Sequence, residues 1–108
     1  MIKHNAITGH PNQVFETLNR KIGQYKARYT HLKIGITGRS PEIRFREHRN
    51  NFDWNLMVII YETSSNNYAN TLESWLVAHH RESIVNIRIG GGSNLSFDGS
   101  NYVYLLLK

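Results

Sequence analysis

The residues best suited to chemistry fall together in LKIGITGRSPEIRFREH, positions 32–48. Arg44 and His48 are four residues apart, so on a helix they share one face. A guanidinium presents a planar fork that matches two phosphate oxygens, and a histidine beside it can donate to the same group. Lys33 and Gly35 precede them on an alternating segment, with Thr37 on the same side. Further along, Glu73 lies between Leu72 and Leu76. A carboxylate at the rim of an apolar stripe is a candidate functional acid. Together these groups suit a site that handles phosphate. Each residue also has a plainer reading. The basic helix face fits simple solvation, Gly35 fits a bulge or an edge strand, and Glu73 fits a surface ion pair.

The elements that must position these groups follow from periodicity. Leu32, Ile34 and Ile36 alternate with Lys33, Gly35 and Thr37, which predicts a half-buried strand over 32–37. The missing side chain at Gly35 leaves the polar face open to close approach. Ser40-Pro41-Glu42 combines a cap residue, a first-turn proline and a first-turn acid, predicting a helix over 41–50. LMVIIYET reads as a strand over 56–63 covered on both faces. A polar turn then leads into a helix over 67–82, with Tyr68, Leu72, Trp75, Leu76 and His79 as its core stripe and Glu73 at the stripe's rim. Upstream, Val14, Phe15, Leu18, Ile22, Tyr25 and Tyr29 predict a helix over 12–28, which Gly23 interrupts. YVYLLL predicts a last strand over 102–107. Between the last helix and that strand lie Ile84–Ile89 and the glycine-rich turn of Gly90, Gly91, Gly92 and Ser93.

Composition narrows the function classes. A chain of 108 residues suits one domain with one core. Its 40% hydrophobic and 19% charged residues are those of a globular chain. There is no apolar run long enough for a membrane span. MIKHNAITGHPNQ carries no apolar signal core, and the chain has no cysteine. The expectation is an intracellular, cytoplasmic protein without disulfides, thiolate metal sites or a membrane partner. The net charge of +5 favours a phosphate polyanion as partner. Arg39, Arg46 and Arg49 around the basic helix are the first candidates for that contact. His79 and His80 lack ligand spacing and suit a helix C-terminus, where the dipole favours them.

From about Lys33 to Asn86 the chain resembles the GIY-YIG nuclease superfamily: KIGIT, then Arg44 and His48 on a helix, an apolar strand, LES with Glu73, and a late asparagine. KIGIT is similar to the second signature strand with lysine in place of tyrosine. The resemblance implies a metal-dependent DNA endonuclease in which Glu73 binds one hard divalent cation, Mg²⁺ or Mn²⁺, Arg44 holds phosphate, His48 donates to the same phosphate or to the leaving group, a tyrosine takes the water's proton, and Asn86 supports. That tyrosine belongs to a first strand ahead of KIGIT, where Tyr25 stands but fits the helical stripe better. The stretch NYVYL at 101–105 resembles the missing strand, placed last. A circular permutation would set it beside KIGIT and make Tyr104 the tyrosine, ahead of Tyr25. Lys33 would then favour the phenolate by its charge.

The expected fold is α/β or α+β, a small and mainly antiparallel sheet of three or four strands flanked by helices. The expected partner is nucleic acid, DNA foremost, with oligomeric state open and a dimer among the options. A domain of the same fold that binds DNA without cutting it is the alternative, and a partner-binding domain with merely solvating charges is a third.

Overall fold

The two most apolar runs of the chain become neighbours at the centre of a four-stranded mixed sheet. The computed structural model describes residues 1–83 and 99–108. The strands are β1 (Ile2–Ile7), β2 (Leu32–Thr37), β3 (Leu56–Thr63) and β4 (Asn101–Leu107), in the spatial order β1-β3-β4-β2. β4 runs antiparallel to both of its neighbours, and β1 runs parallel to β3. The helices are α1 (Pro11–Lys26), α2 (Pro41–Arg49) and α3 (Asn66–His79), followed by one 3₁₀ turn at Arg81–Ser83. The architecture is of the expected α+β class.

Strand alternation sorts the side chains into two layers. On one side Leu32, Ile34, Ile36, Val58, Ile60, Val103, Leu105 and Leu107 pack with Val14, Leu18, Ile22 and Tyr25 of α1 and Leu72, Leu76 and Val77 of α3. On the other side Met57, Ile59, Tyr104 and Leu106 pack with Phe45 of α2 and with Trp54. β4 contributes to both layers, so its five residues from Val103 to Leu107 are all buried. A central strand has no solvent face, which is why its sequence is a continuous apolar run.

β1 is absent from the sequence reading. It lies on the sheet edge with one neighbour, and Lys3, His4 and Asn5 are exposed. With so little burial, IKHNAI carries neither strong alternation nor a long apolar run.

α1 begins with His10 as cap, its Nδ1 accepting from the Asn12 N–H at 3.1 Å, and with Pro11 in the first turn. It runs through Gly23 to Lys26, so the glycine does not end it. α3 is capped by Ser65, which accepts from the Tyr68 N–H at 3.1 Å. It ends at His79, short of the expected residue 82. Its buried stripe is Ala69, Leu72, Glu73, Leu76 and Val77 rather than the expected one. Tyr68, Trp75 and His79 are exposed. The stripe is rotated because Ala69 and Val77 face the sheet while the larger aromatics face outward. Glu73 therefore sits inside the stripe, not at its rim.

Candidate active site

Strand pairing brings the chemistry together. In the β2–β4 register Gly35 stands directly opposite Tyr104 and Lys33 opposite Leu106. Side chains at alternate positions share a face, so Lys33, Gly35 and Tyr104 face the layer that carries α2. A Cβ on Gly35 would lie 2.5 Å from Tyr104 Cζ and 2.8 Å from its Cε1. The space left by Gly35 is therefore filled by the phenol ring, not by solvent.

α2 delivers the nitrogen groups to the phenol oxygen. His48 Nε2 lies 2.7 Å from Tyr104 Oη, and Arg44 Nε donates to the same oxygen at 3.3 Å. The helical spacing of Arg44 and His48 is what lets both converge on one atom. Arg44 is held from its other side by Glu47, whose Oε1 accepts from Nη1 at 3.1 Å. The same oxygen accepts from Arg39 Nη2 at 2.7 Å. Glu47 was not among the residues singled out from sequence. Its spacing of three from Arg44 was the available signal.

Ser40 occupies the cap position of α2, but it makes no side-chain cap bond. Its hydroxyl donates to Glu42 Oε1 at 2.8 Å instead.

Glu73 approaches from α3, which packs against the outer strand β2. It is 5% exposed, and its Oε1 has no hydrogen-bond partner among the described residues. Burial raises its carboxyl to about 7, opposed by the positive charge of Lys33. Lys33 is half-buried, and its ammonium is shifted down by that burial and then by Arg44, with Glu73 pulling the other way. His48 is lowered to about 4 by burial, with Lys33 and Arg44 adding to the effect. Tyr104 is raised to about 12 by burial, with Arg44 opposing.

These values correct one expectation. The positive group that offsets the Tyr104 phenol's burial is Arg44, and the phenol stays protonated at neutral pH. Lys33 acts on Glu73 and His48 instead. A second correction concerns His48, whose Nε2 is engaged by Tyr104 rather than open for phosphate.

Tyr25 lies apart from this cluster. It is buried in the α1 layer, with Tyr29 at 6.3 Å between ring centroids and the Arg28 guanidinium 5.4 Å over its ring. Arg46 and Arg49 are exposed on α2 and line a cleft with Met1 and Ile2. Arg39 is paired to Glu47. Asn86 lies outside the described residues, as do the rest of Ile84–Ile89 and the glycine-rich turn. His80 is buried, with Nδ1 2.9 Å from Lys26 Nζ and Nε2 3.0 Å from Asn19 Oδ1, so it ties α1 to the end of α3.

The donor set suits a hard cation at one position. A buried carboxylate oxygen without a partner is costly, and a divalent cation would relieve it. Among the described residues no group of three or more His, Asp or Glu side chains forms a metal cage. Glu73 would be the protein ligand, and Mg²⁺ commonly keeps several waters in such sites.

No family model, no curated protein and no solved structure matches this chain.

Proposed function

We propose that this chain is a metal-dependent endonuclease that hydrolyses phosphodiester bonds in DNA. One observation carries the reading: Tyr104 Oη is met by both Arg44 and His48 on one side of the sheet, within electrostatic range of the buried Glu73, whose Oε1 has no hydrogen-bond partner among the described residues. A core tyrosine serving only packing needs one partner for its hydroxyl, not a guanidinium and an imidazole together. A buried carboxylate oxygen with no hydrogen-bond partner among the described residues is uncommon in a purely structural role.

The roles follow from the contacts. Tyr104 Oη is the proton acceptor for an attacking water. Arg44 can only donate, so its bond to Oη favours negative charge there. His48 is neutral at physiological pH, since its imidazolium is disfavoured down to about 4. With Nε2 unprotonated, it accepts the phenol proton as Oη takes one from water. The proton thus moves two short steps without a free phenolate, which the phenol's value of about 12 would make rare. Arg44 Nη2, the one guanidinium nitrogen engaged by neither Tyr104 nor Glu47, is left to hold a phosphate oxygen. Loss of one such preorganised donor costs about 3–4 kcal/mol of barrier. Lys33 keeps the Glu73 carboxylate ionised more than burial alone would allow. Glu73 would hold Mg²⁺ or Mn²⁺, which as a Lewis acid stabilises charge developing on the phosphate.

The resemblance to the GIY-YIG superfamily supports this reading. β4 lies beside β2, where a permuted first signature strand would stand, and its Tyr104 faces Gly35 of KIGIT. The net charge of +5 and the exposed Arg46 and Arg49 support DNA as the polyanion.

The test is cleavage of supercoiled plasmid and of single-stranded DNA with Mg²⁺ or Mn²⁺, wild type beside Glu73→Gln. Cutting that Glu73→Gln abolishes is the expected result. Salt-sensitive binding without cutting under either metal would overturn the enzyme reading and leave a DNA-binding module of the same fold.

A further inference from the structure

We infer that the site carries a nucleobase subsite, so that its preferred substrate is a DNA strand with an unpaired base next to the phosphate held by Arg44. The inference rests on the nuclease reading for its phosphate, but the subsite itself is a separate feature. A cleft of about 230 Å³ is lined by His31, Lys33, His48, Asn51, Phe52 and Trp54. Two of these residues, Lys33 and His48, belong to the catalytic cluster, so the cleft opens directly beside it.

Three of its other lining residues, His31, Phe52 and Trp54, are aromatic. Phe52 is 40% exposed although it is a large apolar side chain. It meets Trp54 edge-on at 4.7 Å between centroids and His31 at 5.5 Å. Trp54 is buried beneath and makes a firm floor. Lys108 Nζ lies 5.3 Å over the Phe52 ring and 3.0 Å from Asp53 Oδ2, which holds the ring in place. The exposed Asn51 sets an amide donor and acceptor at the rim.

Size and chemistry select the guest. The cleft is smaller than the roughly 300–1,000 Å³ of pockets for drug-sized ligands. It suits one planar ring. Aromatic walls with cations at the mouth and an amide at the rim match a base joined to a phosphodiester. A base within a duplex is stacked and paired, so it reaches such a cleft only when flipped out or already unpaired. The site would therefore discriminate strand structure rather than read sequence, since every base offers a ring face to stack.

The experiment reads binding and cutting separately. In a Trp75→Phe background Trp54 is the one remaining tryptophan of two. Its fluorescence is followed while a short oligothymidylate is added without divalent cation, and then a strand of equal charge with abasic sites in place of bases. The expected result is quenching by the thymidylate and binding of the abasic strand weaker by roughly tenfold or more. Phe52→Ala lowers thymidylate affinity to the abasic level, and Phe52→Tyr restores it. Phe52 is exposed, so the variant's fold is not at stake. Equal binding of both strands, or Phe52→Ala binding like wild type, overturns the subsite. Cutting assays with Mg²⁺ on the same strands test the other reading. Base-dependent binding without any cutting overturns the nuclease and leaves the subsite. Cutting without base dependence does the reverse.

Discussion

Gly35 and Tyr104 are cross-strand partners, and the phenol ring of one occupies the space where the side chain of the other would begin. The open strand face implied by KIGIT is thus open for a tyrosine. Gly35→Ala forces that ring aside, and the atoms in the way are those of a packed phenol already tied to Arg44 and His48. The expected cost is about 1–3 kcal/mol of stability, the usual range for overpacking. DNA cleavage falls with it because Oη leaves its two nitrogens. Tyr104→Phe is the comparison: it keeps the ring, loses less stability, and loses cutting outright. Urea denaturation with a plasmid-nicking assay on both variants checks this. Gly35→Ala at wild-type stability would show that the ring is not lodged there.

Three buried groups set opposing pH dependences on stability. His48 and His80 stand at about 4 in the folded protein against 6.5 when unfolded. Between those values the unfolded chain binds the protons, so stability rises with pH. Glu73 stands at about 7 folded against 4.5 unfolded, so in its window the folded chain binds the proton and stability falls as pH rises. From about pH 4.5 to 6.5 two histidines oppose one carboxylate, leaving a net slope near 1.4 kcal/mol per pH unit, rising with pH. Above about 6.5 only the carboxylate acts, so maximal stability falls near pH 6.5. Urea midpoints across this range measure the slope. Glu73→Gln should steepen the acid limb, and His80→Gln should flatten it.

How much of this could be read from the chain depends on where each element sits. β2 and α1 are legible from a buried face with its own period, β3 from a continuous apolar run, and α2 from the start signals Ser40-Pro41-Glu42, each within about two residues. β4 was legible as a strand from YVYLLL, but its partners were not. Pairing is set in space: the resemblance suggests the last strand beside KIGIT, but the match of Tyr104 to Gly35 is given only by the register. β1 was hidden because an edge strand with three exposed polar residues leaves almost no pattern. Glu73 was noticed but placed at the rim, since large exposed aromatics at 68 and 75 mimic a core stripe. Arg44 and His48 were found by their spacing. Their shared target was not, because nothing local in the sequence of α2 names a residue in β4.

Gly23 offers a test of helix physics far from the site. It lies inside α1, is exposed, and a Cβ there would meet nothing within 4 Å. Glycine in a helix interior costs roughly 0.5–1 kcal/mol relative to alanine, largely through the freedom it gives the unfolded chain. Gly23→Ala should stabilise by that amount and leave DNA cleavage unchanged. A thermal melt beside a nicking assay checks both. Destabilisation would mean that residue 23 adopts a conformation other than the helical one.

Arg46 and Arg49 should act on binding through charge alone. Both are exposed on α2, and Arg49 packs its guanidinium 5.5 Å over Phe45. If each neutralises one phosphate, replacing it by glutamine lowers the slope of log affinity against log salt by roughly 0.7–0.9. The loss should be similar for unrelated DNA sequences, since phosphate contacts carry no sequence information. Titrations at several salt concentrations measure it. An unchanged slope in the double variant would place the DNA on another face.

Glu73 is where stability and function should conflict. It belongs to the buried stripe of α3 with Ala69, Leu72, Leu76 and Val77, and its Oε1 has no hydrogen-bond partner among the described residues. Glu73→Met removes the buried carboxyl at nearly constant volume, and relief of an unsatisfied buried group is worth about 1–3 kcal/mol. The gain should grow from about pH 4.5 to about 7, where the unfolded chain has lost the proton that the buried carboxyl still holds, and level off above that. A site that retains a group at such a cost is a candidate for function. The wild type should accordingly be stabilised by millimolar Mg²⁺ or Mn²⁺, because a ligand bound to the folded state alone raises the melting temperature. That stabilisation should be larger at pH 8 than at pH 6, since the cation competes with the proton for the same oxygens. Glu73→Met should melt higher than wild type without metal and show no further rise with it. Differential scanning calorimetry on both proteins, with and without Mg²⁺, decides the matter without any DNA. A wild type indifferent to both cations at pH 8 would remove Glu73 as a metal ligand, and the buried carboxylate would then have to be explained by its interaction with Lys33 alone.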